Sequence, residues 1–449
     1  GRGEASPGIG ALAMSRSKRP DPLAAMSAPA AALTRAVLAA ADAEGVSVLL
    51  VGGPVRDLLL GREIVDVDLL VDDEAPGRAA ALAERVAGEG LKSTVHPRFG
   101  TATVRQDDAH VDLATVRSER YAHPGALPTV EAGTLDEDLA RRDFSVNALA
   151  MPLSKKARAA HPAVVDRLGG LADLEERRLR VLHDRSFHDD PTRALRAARL
   201  APRLGFSLAR GSRRALRDAL RDGAFARVSG DRLRRECVRV FEDASRGLDP
   251  TRALHALDDW HVLGALEPGL RLEGAARLPL RRLGRAIAEP PWKAPRWRPW
   301  MTGFGVWLGP LPAALRRRAL RRFGLRGAPA KRVGEIPRQV ERSLRGLAKA
   351  RGRGAVDAVL TGLGEEELYA VYVAAESALR RRIARFAAED RSRRLPVTGA
   401  DLLAAGLSGP AIGRALERIR VAWLDGAVRT REEALALAQE VAKRTRAKR

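Results

Sequence analysis

The chain of 449 residues contains little cysteine, few aromatic residues and no long apolar run. Its single cysteine, Cys237, excludes an internal disulfide framework and a zinc site built from cysteines. The helical pattern around Cys237 predicts a buried structural thiol rather than a nucleophile. Because the chain has neither a run of about 18 uncharged apolar residues nor a signal-peptide core, the sequence predicts no membrane segment and a cytoplasmic location.

Acidic residues are also scarce relative to basic ones. The chain has 56 Asp and Glu against 79 Lys and Arg, which gives a formal net charge of +23. Such an excess favours a polyanionic partner, and nucleic acid is the first candidate. A coding bias that enriches arginine is the alternative, but it does not by itself leave acids so outnumbered.

The pattern of apolar residues changes along the chain. Residues 1–30, rich in small and basic residues, are expected to be a disordered or non-native extension, with Met14 or Met26 as alternative starts. Strand and helix signals then alternate to about residue 150, and Leu/Ala/Arg periodicity predicts helices from about 165 onward. The predicted helices of the first part cover 31–44, 54–60 and 77–88, and its strands cover 46–51, 65–71, 101–105 and 110–116. The fold class is therefore α+β, with a compact α/β head followed by an all-helical remainder.

The most informative segment, residues 51–72, combines a glycine turn, an arginine and two aspartates spaced by one residue. These residues are Gly52, Gly53, Arg56, Asp66 and Asp68. Side chains alternate along a strand, so Asp66 and Asp68 should project to one side, with Val65, Val67 and Leu69 facing a core. Carboxylates this close repel each other unless a cation lies between them, and oxygen ligands beside a phosphate-sized loop suit Mg²⁺. The alternative is a strand end with two solvated aspartates.

A third carboxylate, Asp112, lies on the predicted strand 110–116. It could complete the metal site if that strand lies beside 65–71. Otherwise it is an ordinary residue of an edge strand.

The second motif runs from Asp138 to Ala150 and contains the adjacent residues Arg141 and Arg142. Two neighbouring guanidinium groups can neutralise a triphosphate through forked donors. Asn147 could contact a sugar hydroxyl or fix a loop. The alternative is a helix start with a solvated charged face.

The third motif begins at Asp190 and continues with Arg193, Arg196 and Arg199. Arginines three residues apart share a broad helix face. Asp190 precedes a proline, as expected of a helix cap, and a solvated basic stripe would account for the arginines. The functional interpretation is that Asp190 and Arg193 bind the edge of a base.

Together and in this order, the three motifs resemble those of the class II tRNA nucleotidyltransferase/poly(A) polymerase family. Residues 166–174 also resemble its Asp-Pro-x-Gly-Gly-Leu-x-Asp-Leu link, with Arg167 where proline is usual. The resemblance is dense over residues 46–245 and returns at 398–413, which is similar to the tail of the tRNA-type enzymes. Pro54, Val65 and His183 depart from the usual residues, but none of them replaces a reacting group.

The resemblance implies a domain order and a set of residue roles. A polymerase-beta-like nucleotidyltransferase head would cover 31–150, a base-recognising helical neck 151–245, an RNA-binding helical body 246–395 and a tRNA-binding tail 396–449. Asp66 and Asp68 would hold Mg²⁺, and Asp112 would assist them. Asp190 and Arg193 would pair with the base of ATP or CTP, supported by Arg196 and Arg199. The remaining implied nucleotide contacts are Gly52, Gly53, Arg56, Arg142, Asp143 and Asn147.

The implied function is template-independent addition or repair of the CCA end of tRNA. The sequence does not indicate an oligomeric state. Two alternative functions stay open: poly(A) addition, and the addition of only CC or only A to tRNA. A non-catalytic RNA-binding protein is a remote alternative.

Residues 121–128 would form the loop implicated in nucleotide switching. The pair His183-Asp184 suggests an alternative function as a metal-dependent phosphohydrolase. Such a site needs further histidine and aspartate ligands along the helices, and the histidines of the chain show no such pattern. The tryptophans of 292–307 could stack on RNA, although core packing is favoured.

Overall fold

The computed structural model describes residues 20–73, 75, 77–87, 91–96, 100–120 and 129–446. The chain divides into two compact units, Gly1–Val228 and Ser229–Arg449. This division falls inside the segment 151–245 that was predicted as the neck, and the four-domain scheme stays a prediction.

The first unit combines helices and strands. Its helices are α1 (Ala28–Ala43), α2 (Gly53–Leu59), α3 (Arg78–Ala87), α4 (Leu135–Ala140), α5 (Lys155–Ala160), α6 (Gly170–Glu175), α7 (Ser186–Asp189), α8 (Thr192–Leu204) and α9 (Arg210–Arg221). Its strands are β1 (Val48–Val51), β2 (Asp68–Val71), β3 (Lys92–His96), β4 (Thr101–Gln106), β5 (Ala109–Thr115), β6 (Arg117–Arg120), β7 (Thr129–Ala132), β8 (Leu149–Pro152), β9 (Val165–Asp166), β10 (Arg178–Leu179) and β11 (Ser207–Leu208).

Seven of these strands form one mixed sheet in the order β3-β4-β5-β2-β1-β8-β9. Strands β2 and β5 run parallel, and the other neighbours are antiparallel. Helices α1 and α3 pack on the half of the sheet formed by β3, β4 and β5. Because β8 and β9 join this sheet, it extends to Asp166, beyond the predicted end of the head at residue 150.

The predicted strand 65–71 is shorter than expected. It begins at Asp68, because Ile64 forms an isolated bridge with Met26 and the chain bends at Asp66. The bend interrupts the alternation of side chains, so Val65 is 59% exposed, and its predicted place in the core is wrong. Val67 and Leu69 are buried as expected.

Part of the predicted N-terminal extension belongs to the fold. Met26 is buried and bridges Ile64, and the Ser27 hydroxyl accepts a hydrogen bond from the Ala30 backbone N–H at the start of α1. Residues 20–30 therefore pack on the head, which corrects the expectation of disorder for them. Residues 1–19 lie outside the described residues.

The second unit is built from helices, as predicted. They are α10 (Gly230–Glu242), α11 (Pro250–Asp259), α12 (Val262–Leu266), α13 (Gly274–Ala288), α14 (Pro299–Leu308), α15 (Ala313–Arg322), α16 (Gly327–Lys349), α17 (Gly352–Leu360), α18 (Glu365–Ala374), α19 (Ser377–Arg385), α20 (Gly399–Ala404), α21 (Pro410–Leu424) and α22 (Arg431–Arg446). No helix in the described part of the chain is long and apolar enough to span a membrane.

The tryptophan-rich segment contributes to the core of the second unit. Trp292 and Trp307 are buried. Trp297 stacks on Tyr369 with ring centroids 3.5 Å apart and planes inclined by 5°. These contacts confirm the core-packing interpretation over RNA stacking, and burial of Cys237 confirms the structural role predicted for its thiol.

Candidate active site

The carboxylates predicted to bind metal lie at one edge of the parallel strand pair. Asp68 is the first residue of β2, and the β2–β5 register places it directly beside Asp112. The Thr103 hydroxyl on β4 donates a 2.6 Å hydrogen bond to Oδ1 of Asp112. The strand of Asp112 therefore lies beside β2, which is the condition under which the sequence assigned it to the site.

Burial and electrostatic repulsion both make it harder to ionise Asp68 in this group of carboxylates. The pKa of Asp68 is raised to about 6. Burial among the surrounding protein atoms is the largest cause, and the negative charge of Asp112 is the next. Asp66 acts in the same direction, while Arg142 opposes the shift. Crowded anionic oxygens of this kind fit a hard divalent cation such as Mg²⁺.

The carboxylates do not form a complete metal site by themselves. Among the described residues, no group of three or more histidine, cysteine, aspartate or glutamate side chains is arranged to hold a metal ion. Mg²⁺ commonly takes only one or two protein carboxylates and completes its shell with water and substrate phosphates. Asp66 and Asp68 therefore fit a metal that binds together with its substrate.

A pocket of about 230 Å³ connects the first and third sequence motifs. Its lining includes the carboxylates Asp66 and Asp68 and arginines of α8. The other predicted site residues that line it are Gly53, Arg56, Asp143, Asn147, Arg196 and Arg199. A pocket lined by both arginines and paired carboxylates suits a polyanion that binds with a divalent metal.

Gly52 forms the glycine turn at the start of α2. Its φ of +75° lies in the region that L side chains rarely adopt. A Cβ atom at this position would lie 2.8 Å from Nη1 of Arg142. The glycine therefore allows the guanidinium of Arg142 to approach the turn.

We expect Gly52→Ala to lower stability by about 1–2 kcal/mol through backbone strain, and to reduce kcat/KM of the reaction at this site at least about tenfold by displacing Arg142. Gly61→Ala is the matched control, because Gly61 also has a positive φ (+68°) but a Cβ there meets nothing within 4 Å. Thermal unfolding and steady-state kinetics of both variants separate the two effects. Equal activity of the two variants would contradict the assigned role of Gly52.

Both arginines of the second motif are anchored by Asp138, whose importance the sequence analysis missed. Asp138 is fully buried on α4. Arg141 donates to its Oδ1 from Nε at 3.0 Å, and Arg142 donates to its Oδ2 from Nη2 at 2.9 Å. The spacing of three and four residues along a helix is the signal that predicts these pairs.

A chain of polar contacts links the glycine-turn helix to the third motif. Arg56 Nη1 donates to Oδ1 of Asn147 at 2.5 Å, and Asn147 Nδ2 donates to Oδ1 of Asp143 at 2.9 Å. Arg196 then bridges two carboxylates, with its Nε 3.3 Å from Asp143 Oδ2 and its Nη2 2.8 Å from Asp190 Oδ2. All three motifs are therefore joined by hydrogen bonds and ion pairs.

Asp190 and Arg193 lie behind the pocket rather than on its wall. Asp190 Oδ1 accepts from the backbone N–H of Thr192 at 3.0 Å, which is the capping contact considered at the sequence level. The guanidinium of Arg193 donates to the Ser186 hydroxyl and to the carbonyl of Arg141. Both side chains are buried, and their assignment to base recognition stays a prediction.

Arg203 is a further pocket residue that the sequence analysis did not select. It lies on α8, four residues beyond Arg199, so it continues the same helix face. Its Nη2 is 3.2 Å from Oδ2 of Asp57, which also accepts from Arg56. Extending the arginine stripe of 193–199 by one turn would have found it.

Residues 166–174, which resemble the link of the family, have a structural role. Asp166 accepts hydrogen bonds from the backbone N–H groups of Gly170 and Leu171 at the start of α6. Asp173 accepts from the hydroxyl of Ser145 at 2.6 Å and thereby ties α6 to the second motif.

The rival phosphohydrolase motif gains no support. His183 Nε2 lies 3.7 Å from Asp189 Oδ2, and burial lowers the pKa of the imidazole. The residues that the structure describes contain no cluster of ligands around His183 that could hold a metal.

Comparison with known proteins shows which proteins this chain is similar to. Residues 48–180 match the family model of the poly A polymerase head domain. The chain is 35% identical over 391 residues to the CC-adding tRNA nucleotidyltransferase of Deinococcus radiodurans, covering 86% of each chain. It is 30% identical to the A-adding tRNA nucleotidyltransferase of Geobacter sulfurreducens, covering 92% of this chain but 47% of that protein, so it spans about half that relative's length.

Structural similarity extends over both units. The Thermotoga maritima CCA-adding enzyme, solved in complex with tRNA, shares 26% identity and a TM-score of 0.69, covering 94% of this chain and 98% of that chain. This similarity supports the head-then-helices architecture predicted from the sequence. The chain belongs to the tRNA nucleotidyltransferase/poly(A) polymerase family.

Proposed function

We propose that the protein transfers nucleotides from CTP or ATP to the 3′ end of tRNA without a template, to build or repair the terminal CCA. The pocket that is lined by Asp66 and Asp68 together with Arg196 and Arg199 carries this proposal. The names of the relatives, which are CC-adding, A-adding and CCA-adding enzymes, support tRNA as the acceptor over poly(A) addition.

In the proposed reaction the RNA 3′-hydroxyl attacks the α-phosphorus of the nucleotide and pyrophosphate leaves. Arg56 and Arg142 bring positive charge beside the glycine turn, where they would neutralise the triphosphate. Arg196 and Arg199 line the same pocket as Arg56 and would hold the nucleotide. Because Arg56 is already hydrogen-bonded to Asn147 and Arg196 is paired with Asp143, these two arginines are oriented before substrate arrives.

Asp66 and Asp68 would hold Mg²⁺, with Asp112 assisting. The bound metal would supply activation of the attacking hydroxyl and neutralisation of charge on the departing phosphates. Burial, followed by the charges of Asp112 and Asp66, raises the pKa of Asp68, and this supports the role because a divalent cation would stabilise the ionised carboxylate.

The choice of nucleotide is the finer part of the proposal. Asp190 and Arg193 would need to exchange their internal hydrogen bonds for contacts with a base. Residues 121–128, to which the sequence analysis assigns the nucleotide switch, lie outside the described residues. The proposal includes a cytoplasmic location, as expected for an enzyme that acts on tRNA.

The test uses the purified protein with three tRNA transcripts that end before the first C, before the second C and before the A. Each is incubated with labelled CTP or labelled ATP. CCA addition predicts incorporation on all three, whereas a CC-adding enzyme stops before A and an A-adding enzyme extends only the last. Long A tracts on unstructured RNA would favour a poly(A) polymerase, and no incorporation on any RNA would favour a non-catalytic RNA-binding protein.

A further inference from the structure

The sequence Asp-Pro-Thr-Arg-Ala-Leu occurs twice in the chain, at 190–195 and at 249–254. Each copy lies at the start of a helix, α8 in the first unit and α11 in the second. In both copies one aspartate oxygen accepts from the backbone N–H and the hydroxyl of the threonine. These distances are 3.0 and 2.5 Å for Thr192, and 2.9 and 2.7 Å for Thr251. The cap is therefore a local property of the hexapeptide.

The arginine of the hexapeptide differs between the two copies. Arg252 is exposed, whereas Arg193 is buried. Nη1 of Arg193 donates to the hydroxyl of Ser186, and its Nη2 donates to the carbonyl of Arg141 at 2.9 Å. Its Nε is also buried and has no hydrogen-bond partner in the described part of the chain. The hexapeptide alone does not bury its arginine, so the position of Arg193 depends on its contacts with Ser186 and Arg141.

The two carboxylate oxygens of Asp190 have different surroundings. Oδ1 is bonded to Thr192, which is 3% exposed. Oδ2 accepts from Nη2 of Arg196 at 2.8 Å, and the side chain of Arg196 is 29% exposed and lines the pocket. An anionic ligand in the pocket can compete with Oδ2 for Arg196, whereas it does not compete for a buried hydroxyl. The hydroxyl of Thr192 can therefore fix the carboxylate plane while Oδ2 changes its partner.

Ser186 holds Arg193 in a similar way. Ser186 is fully buried on α7, and this short helix is tied to the residue that follows α9, because Nε2 of His188 lies 3.0 Å from Oδ2 of Asp222. The contact of Arg193 with Arg141 lies nearer to solvent, since Arg141 is partly exposed. The buried hydroxyl of Ser186 can therefore hold the guanidinium while the contact with Arg141 is replaced by a ligand.

We infer that the hydroxyls of Thr192 and Ser186 position the two base-recognition residues and thereby control nucleotide choice. Each hydroxyl keeps its bond while Asp190 or Arg193 exchanges its partly exposed contact for the edge of a base. The inference rests on the proposed function, which assigns base recognition to that pair. A fixed carboxylate oxygen accepts from the amino group of cytosine or adenine, whereas uracil or guanine presents an oxygen at the same place and is rejected.

The test is Thr192→Val, which removes the hydroxyl but keeps a side chain of nearly the same shape. It uses a tRNA transcript that the wild type extends and compares kcat/KM for CTP with that for UTP, or ATP with GTP if the wild type adds only A. We expect this selectivity ratio to fall about tenfold, mainly through a higher KM for the accepted nucleotide. KM for the tRNA should be unchanged. Thr192→Ser, which keeps the hydroxyl, should retain the wild-type ratio.

Ser186→Ala tests the second hydroxyl and should lower the same ratio. Two matched controls lie in the second unit. Thr251→Val removes the equivalent hydroxyl from the other copy of the hexapeptide, and Ser343→Ala removes a buried hydroxyl that accepts from Gln339. Both controls should keep the wild-type ratio, and thermal unfolding shows whether each pair of variants loses similar stability.

An unchanged ratio in Thr192→Val, with activity lost equally on accepted and rejected nucleotides, would overturn the inference, because it indicates a structural role alone. A lowered ratio in Thr251→Val or Thr192→Ser would overturn it as well. If Thr192→Val does not fold, Ser186→Ala decides by the same ratio. A wild-type protein that incorporates no nucleotide would instead contradict the proposed function, so the two failures are distinguishable.

Discussion

Asp68→Asn is expected to lower nucleotide transfer to tRNA by about three orders of magnitude, and Asp68→Ala by at least as much. A metal-bound carboxylate contributes several kcal/mol to the transition state, and each 1.36 kcal/mol is tenfold in rate. Stability should respond in the opposite direction. Because Asp112 and Asp66 repel the carboxylate of Asp68, its removal should leave the unfolding temperature of the metal-free protein unchanged or slightly higher.

Asp108→Asn is the control for this prediction, since it removes the same charge from an exposed turn between β4 and β5. Single-turnover incorporation and thermal unfolding would be measured for both variants. If Asp68→Ala still incorporated ATP or CTP into tRNA lacking its end, the metal assignment would be wrong. A loss of activity that merely tracks a loss of folded protein would also contradict it.

The second large effect is expected at Asp138. Asp138→Ala leaves two guanidinium groups without their buried partner, and removal of one member of a buried ion pair costs about 3–5 kcal/mol. Since the side chains of Arg141 and Arg142 remain 17% and 19% exposed, we expect a loss near 3 kcal/mol. Nucleotide transfer should also fall, because Arg142 loses the contact that orients it.

Asp136→Ala tests whether this effect is specific. Asp136 lies on the same helix, but among the described residues its ion pair is with Arg167, and both side chains are more than half exposed. Such surface pairs contribute about 1 kcal/mol or less. Urea unfolding should therefore separate the two variants by roughly 2 kcal/mol or more, and equal losses would contradict the role assigned to Asp138.

The sequence predicted the head-and-helices architecture because its apolar periodicity changes from strand to helix near residue 165. It could not predict that β2 lies parallel to β5, since that pairing joins segments about 40 residues apart and depends on how the sheet assembles. For this reason the sequence could assign Asp112 to the metal site only on the condition that its strand lies beside β2. The bend at Asp66 was likewise missed, because it follows from the bridge between Ile64 and Met26.

The third motif shows a different limit of prediction from sequence, because one residue type can serve two roles. The sequence allowed Asp190 to be either a helix cap or a base-recognition residue, and the structure displays the capping contact with Thr192. Burial of Arg193 depends on Ser186 and on the carbonyl of Arg141, which no local pattern reveals. By contrast, the spacing of Asp138 from Arg141 and Arg142 is readable from the sequence alone.

The central claim is that this chain moves a nucleotide from CTP or ATP onto the 3′ end of tRNA. The most direct measurement combines the wild-type protein, Mg²⁺, both nucleotides and a tRNA transcript lacking its CCA, with sequencing of the 3′ ends and quantification of pyrophosphate. The account predicts a short, defined extension drawn from C and A, with one pyrophosphate released for each nucleotide added. Unchanged 3′ ends, or pyrophosphate released without extension of the RNA, would contradict it.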